Sequence, residues 1–141
     1  SEAIRTPEIS YYASKVSAVP EVRRFLLETQ RNMAKNSSIL MDGRDIGTVI
    51  LPDAPVKIFL TASAQSRAER RYKELIEKGQ QVTMDGILHD INERDRQDMT
   101  RAVAPLKQAD DAVLLDTSSL TLEESIAAVL HIIREKTEEK A

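Results

Sequence analysis

With 141 residues, 41% of them hydrophobic and 30% charged, the chain is long enough for one domain around a real core and too apolar to be disordered. Its net charge of -3 offers no basic field for nucleic acid, and the absence of cysteine excludes disulfides and thiolate metal sites. The two histidines, His89 and His131, are too few for a His-rich metal site and read as surface or boundary residues on helices. No signal peptide and no apolar run of membrane-spanning length is visible, so no membrane partner is expected and the expected compartment is the cytoplasm.

In chain order, Ser1, Glu2, Ala3, Ile4, Arg5, Thr6 and Pro7 lack an initiating Met and no strand leads in, so this opening suits either a piece of a longer protein or a chain whose Met has been removed by processing. Residues 8–17 suit a short helix. Pro20 fits the first turn of the next, where a missing N–H costs nothing. Val22, Phe25, Leu26, Thr29 and Met33 recur at three and four residues, predicting an amphipathic helix that ends at Asn36, Ser37 and Ser38. Ile39, Leu40 and Met41 form a short apolar strand candidate running into Asp42-Gly43. Residues 56–60 and 112–116 are two more, the first introduced by the turn signal Pro52-Asp53-Ala54-Pro55. Brief, almost wholly apolar strands between helices predict an α/β fold with a parallel sheet buried on both faces.

Ser63 is placed to cap a helix that Gly79 stops, and Thr83 to cap another with Met84, Ile87, Leu88 and Ile91 on one face. Thr121-Leu122-Glu123-Glu124 has the form of a capping box, followed by the stripe Ile126, Val129, Leu130 and Ile133. The mixed charges of residues 134–140 suit a solvated, fraying helix end. The expected domains are an α/β core of residues 1–62 and 101–141 and a helical lid hairpin of residues 63–100. Three strands are few for a doubly wound sheet, which again points to sequence outside this chain.

Asp42 closes an apolar strand candidate. Such an acid either orients Mg²⁺ through water in a phosphoryl-transfer site or simply begins a turn. Arg44 and Asp45 follow at the position where open α/β sheets bind ligands, flanked by Gly43 and Gly47. The spacing is not a Walker loop, and no Gly-Lys pair occurs in the chain. Arg94, Asp98 and Arg101 lie at roughly 0°, 40° and -20° around a helix. They continue the apolar face of Met84, Ile87, Leu88 and Ile91, so they either point into a cleft or form a surface ion pair. Arg67, Arg70 and Arg71 can close over polyphosphate, or belong to a solvated face with Glu69, Glu74 and Glu77.

Residues 4–8, 41–49, 56–61, 69–72, 93–96, 100–106 and 109–112 occur together in the order seen in bacterial cytidylate kinases. The chain resembles that family along essentially its whole length, most specifically in Asp42-Gly43-Arg44-Asp45-Ile46-Gly47-Thr48 and in residues 100–106. The resemblance implies a P-loop nucleoside-monophosphate-kinase-like α/β fold with a helical lid. It implies transfer of the ATP γ-phosphoryl group to CMP or dCMP with Mg²⁺, in an enzyme monomeric when intact. It implies Ser14, Arg23 and Asp45 as cytosine readers and Arg94 and Asp98 as sugar ligands. Arg44 and Arg101 are implied as the clamp on the CMP phosphate, Arg70 and Arg71 as lid residues closing on ATP, and Asp42 as a water-mediated Mg²⁺ contact. Arg44, Arg101 and Arg71 then carry the catalytic charge stabilisation.

The family pattern also has an N-terminal strand and Gly-rich loop that these 141 residues lack, so the fold is expected to be incomplete and the isolated chain inactive. The other function consistent with the residues is that of a non-catalytic CMP-binding piece completed by a second polypeptide. Use of the arginines for nucleic acid is disfavoured by the net acidity and the 4% aromatic content.

Overall fold

The computed structural model describes residue 4 and residues 6–138; Arg5 and the last residues of the charged tail lie outside the described part. Contacts divide the chain into two compact units. One comprises residues 1–52 and 97–107, the other residues 53–96 and 108–141. The hairpin of residues 63–100 is not a unit of its own in this division.

In the first unit, α1 (Pro7–Ser17) starts where the Thr6 hydroxyl accepts from the Ile9 N–H at 3.2 Å, and it packs against α2 (Pro20–Asn36). Pro20 is the first residue of α2, as its lack of an N–H predicts. The face that α2 turns inward is not the predicted one. Of the predicted stripe Val22 is half-buried, but Phe25 is 78% exposed and Leu26, Thr29 and Met33 are exposed too, while Arg23, Leu27, Gln30 and Ala34 are half-buried. These two sets lie about 100° apart around the helix. Hydrophobic spacing identifies a helix correctly but does not say which neighbour it meets, and here guanidinium bonds to backbone oxygens orient it instead.

Residues 39–41 form no strand. A strand exists through ladder bonds to a neighbour, none is formed here among the described residues, and Leu40 is 92% exposed. Residues 46–50 close one π turn, in which Ile50 N donates to Asp45 O (3.2 Å) and Leu51 N to Ile46 O (2.7 Å).

In the second unit, β1 (Ile58–Thr61) and β2 (Val113–Asp116) pair in parallel, Ile58 opposite Val113 and Thr61 opposite Asp116. They match two of the predicted strands. α5 (Leu122–Glu138) packs on β2. Leu60 and Leu114, on opposite faces, stay exposed, so the expected burial of both faces is not met among the described residues. Ile126 and Leu130 are likewise exposed, and Val129, Ile132 and Ile133 form the half-buried side of α5.

The main apolar cluster lies between α3 (Ala64–Glu77) and the part of α4 (Met84–Thr100) in this unit. Ala68, Leu75 and Ile87 are buried, with Tyr72, Val82, Met84, Leu88 and Ile91 against them. The predicted face of Met84, Ile87, Leu88 and Ile91 is thus the packed one. Ser63 caps α3 through the Ser66 N–H (3.1 Å), and Thr83 accepts from Gly86 N (3.2 Å) at the start of α4.

Gly79 ends α3 in a Schellman motif. Its N–H donates to Ile76 O (2.9 Å), Gln80 N donates to Leu75 O (3.0 Å), and Gly79 takes a φ of 73°. A Cβ at Gly79 meets nothing within 4 Å. Gly79→Ala should therefore cost only the left-handed backbone penalty, about 1 kcal/mol. Urea denaturation checks this, and an unchanged midpoint would contradict it.

Thr121 and Glu124 form the predicted reciprocal box: Thr121 N donates to Glu124 Oε2 (2.8 Å) and Glu124 N to Thr121 Oγ1 (3.2 Å). The Thr121 N–H, and then the Thr121 hydroxyl, hold the Glu124 carboxyl below its ordinary 4.5. The folded value is the lower one. The box's contribution is therefore complete above 4.5 and is lost as pH falls through the folded value. Amide exchange at Thr121 should accelerate on acidification beyond simple chemical exchange, and Glu124→Gln should abolish that extra dependence.

Candidate functional site

The site in the first unit is built around Asp45, the residue that enters the π turn. Its carbonyl accepts from Val49 N (2.9 Å) and Ile50 N (3.2 Å), which fixes its backbone. π turns of this kind are frequent at functional positions. From α2, Arg31 secures the far end of the turn: Nε donates to Ile50 O (3.0 Å) and Nη2 to Val49 O (2.9 Å). The sequence reading passed over Arg31. It lies eight residues after Arg23, about 80° around the helix, so no spacing rule pairs the two. Gly43 has a further reason to be glycine, since a Cβ there would come within 3.0 Å of the Ile46 side chain.

The Asp45 carboxylate is buried, at 6% residue exposure, and lies between two guanidiniums. Arg23 Nη2 donates to Asp45 Oδ2, and Arg101 Nη2 stands 3.7 Å from Oδ1. Arg23 also donates from Nη1 to Ser17 O (3.1 Å). The Ser17 hydroxyl in turn donates to Ser14 O (2.9 Å), which connects the half-buried Ser14 to the same network. Beside it, Arg44 Nε donates to Asp98 Oδ2 (2.9 Å), with Asp98 buried and Arg44 41% exposed along its side chain.

The guanidiniums of Arg23, Arg44 and Arg101 thus meet the carboxylates of Asp45 and Asp98. Arg101 Nη2 is buried and makes no hydrogen bond among the described residues. A buried charged donor without an acceptor costs free energy, and an anion placed there would recover it. Arg101 is held by its other end: Nε donates to Ala104 O at 2.7 Å.

Asp42 is exposed, and no group of three or more His, Cys, Asp or Glu side chains able to hold a metal ion occurs among the described residues. A lone carboxylate fits Mg²⁺ only where substrate phosphates and water fill the remaining positions, which is the usual way this ion is held.

The remaining candidates lie in the second unit. Arg67 clasps Asp95 with both terminal nitrogens (2.9 and 2.5 Å) and donates from Nε to Ala62 O (3.0 Å), tying α3 to α4. The bond to Asp95 raises its already high pKa further. Arg70 donates to the carbonyls of Thr117 and Leu120 (3.2 Å for the latter), so it anchors the loop after β2. Thr117 and Ser118, not singled out in the sequence, complete that anchor: Thr117 Oγ1 donates to Thr61 O (3.1 Å) and Ser66 Oγ to Ser118 O (3.0 Å).

Arg71 Nη1 donates to Glu74 Oε2 (2.9 Å). Lys78 first, and Arg71 second, hold the Glu74 carboxyl below its ordinary range. Arg94 is half-buried on α4, one turn before Asp98. Thus Arg23, Arg44, Asp45, Asp98 and Arg101 come together in one unit, while Arg70, Arg71 and Arg94 belong to the other. Both histidines are exposed, and no helix among the described residues is long and apolar enough to cross a membrane.

A family model described as cytidylate kinase matches residues 1–135. The curated cytidylate kinase of Thermosipho melanesiensis is 57% identical over 133 residues, covering 94% of this chain and 61% of that protein. That of Carboxydothermus hydrogenoformans is 49% identical over 138 residues, covering 98% of the chain and 62% of the relative. That of Lactococcus lactis subsp. lactis is 50% identical over 139 residues, covering 99% and 61%. The chain spans about three fifths of the length of the curated relatives it matches. The chain belongs to the cytidylate kinase family.

Proposed function

We propose that this chain supplies the acceptor-nucleotide site and the lid of a kinase that transfers the ATP γ-phosphoryl group to CMP or dCMP, yielding CDP or dCDP. One observation carries this reading: a buried carboxylate, Asp45, set between Arg23 and Arg101, with a buried Arg101 donor beside it that lacks an acceptor. A carboxylate accepts from the exocyclic amino group of cytosine, and Arg23 donates to the ring acceptors, with Ser14 alongside. Arg101 and Arg44 donate to the phosphate of the same nucleotide. Asp98 and Arg94 take the sugar hydroxyls.

Phosphoryl transfer needs positioning and neutralisation of spreading charge more than covalent chemistry. In this reading Arg101 and Arg44 hold the attacking phosphate. Arg71 exchanges its exposed Glu74 partner for ATP oxygens, and Arg70 steadies the loop after β2 while the lid closes. Mg²⁺, when bound with ATP, neutralises phosphate charge, and Asp42 would orient one of its waters. The fold is that of a P-loop nucleoside-monophosphate kinase, with residues 1–62 and 101–141 in the core and 63–100 as the lid. The 141 residues contain no Gly-Lys-Ser/Thr loop to cradle the donor phosphates, so the chain alone binds CMP without turning it over.

The test joins this chain to the part of the Carboxydothermus relative outside the matched region and follows ADP release. CMP should be phosphorylated faster than UMP or AMP, and the 141-residue chain alone should show no turnover. A chimaera indifferent to CMP, or turnover by the chain alone, would refute the reading.

A further inference from the structure

We infer that Ala104 is a positioning residue for the acceptor site, holding the Arg101 guanidinium in place through its carbonyl oxygen and a left-handed backbone. Among the described non-glycine residues Ala104 has a positive φ, 49°. An alanine there costs backbone energy, because its Cβ crowds the following carbonyl. Pro105 follows, and a residue before proline is ordinarily driven to extended backbone. Strain of this sort persists only where the surroundings enforce it, and it gathers at functional sites.

Two bonds enforce it here. Leu106 N donates to Asp98 O at 2.8 Å, folding the segment after α4 back onto the helix's last turn. Arg101 Nε donates to Ala104 O at 2.7 Å. The carbonyl thus holds the guanidinium by its Nε–H. Nη2 is left buried, 3.7 Å from the Asp45 carboxylate and without an acceptor. The consequence is preorganisation: the guanidinium is fixed before any anion arrives, so binding need not order it. A glycine at residue 104 would take this backbone without strain, whereas a β-branched side chain would resist it.

The inference rests on the reading of Arg101 as a phosphate ligand, and its test separates the two. Hydrogen exchange of the Arg101 Nε–H is followed by NMR in the 141-residue chain, beside titration with CMP and with cytidine. In Ala104→Val, Arg101 Nε–H should lose its protection and CMP affinity should fall about tenfold, the usual scale for a slightly misplaced binding group. Cytidine, which has no phosphate, should bind as before. Ala104→Gly should keep both protection and affinity and unfold no earlier than the parent chain.

Unchanged protection in Ala104→Val overturns the inference whatever the ligand data show, as does lost protection with unchanged CMP affinity. Should Ala104→Val fail to fold, a glycine variant that exchanges faster or melts earlier than the parent overturns it alone. A parent chain that binds no CMP overturns the acceptor-site reading itself, and with it the role given to Ala104.

Discussion

Asp45→Ala is expected to destabilise the first unit by about 3–5 kcal/mol, the cost of stripping the partner from buried charges. The side chains of Arg23 and Arg101 are only 16% and 10% exposed, so neither guanidinium can turn to water to recover what it loses. The backbone of the π turn is untouched by the change, because its bonds run to the Asp45 carbonyl. Asp45→Asn keeps the shape and one acceptor oxygen but not the charge, and should cost roughly half as much, near the range for one charged hydrogen bond. Urea unfolding of the three proteins decides this. A loss below about 1 kcal/mol for the alanine variant would mean that the pair contributes no more than an exposed one.

Arg101→Ala should lower CMP affinity about a hundredfold, since a charge-assisted bond to phosphate is worth about 1.5–3 kcal/mol and 1.4 kcal/mol is a factor of ten. Cytidine affinity should change much less, because it has no phosphate to lose. Arg101→Lys retains the charge but has no Nε to donate to Ala104 O and no planar fork for two phosphate oxygens. It should recover only part of the loss. Isothermal titration with both ligands gives the comparison. Equal losses for CMP and cytidine would show that Arg101 holds the fold and not the phosphate.

Features set by neighbouring residues were legible in the sequence. The Ser63 and Thr83 caps, the Thr121–Glu124 box and the Gly79 stop each depend on atoms within a few residues, and each forms as its residue types require. Features set by distant partners were not. Ile39, Leu40 and Met41 have strand composition, yet pairing is a property of two segments. The apolar stripe of α2 gives its helical period correctly, but burial follows the bonds that Arg23 and Arg31 make to Asp45 and to the π turn.

The site divides in the same way. No spacing rule joins Arg23 to Asp45 or Arg44 to Asp98, which lie 22 and 54 residues apart. Position after a strand candidate pointed to Arg44 and Asp45, and helical spacing to Asp98, but Arg23 was singled out only through the resemblance carried by residues 42–48 and 100–106; membership of that family is borne out over residues 1–135. Ala104 had no signal at all. Alanine is an ordinary loop residue, and its positive φ arises from the contacts of Leu106 and Arg101 around it.

The central claim is that Asp45, Arg23 and Arg101 form a site for a cytosine nucleotide. Titration of the 141-residue chain with CMP and, separately, with AMP tests it most directly. The account predicts saturable binding of CMP with clear preference over AMP, because the 6-amino group and ring nitrogens of adenine cannot be met by the same carboxylate and guanidinium at the same distance from the phosphate clamp. No binding at millimolar CMP, or equal affinity for the two nucleotides, would contradict it.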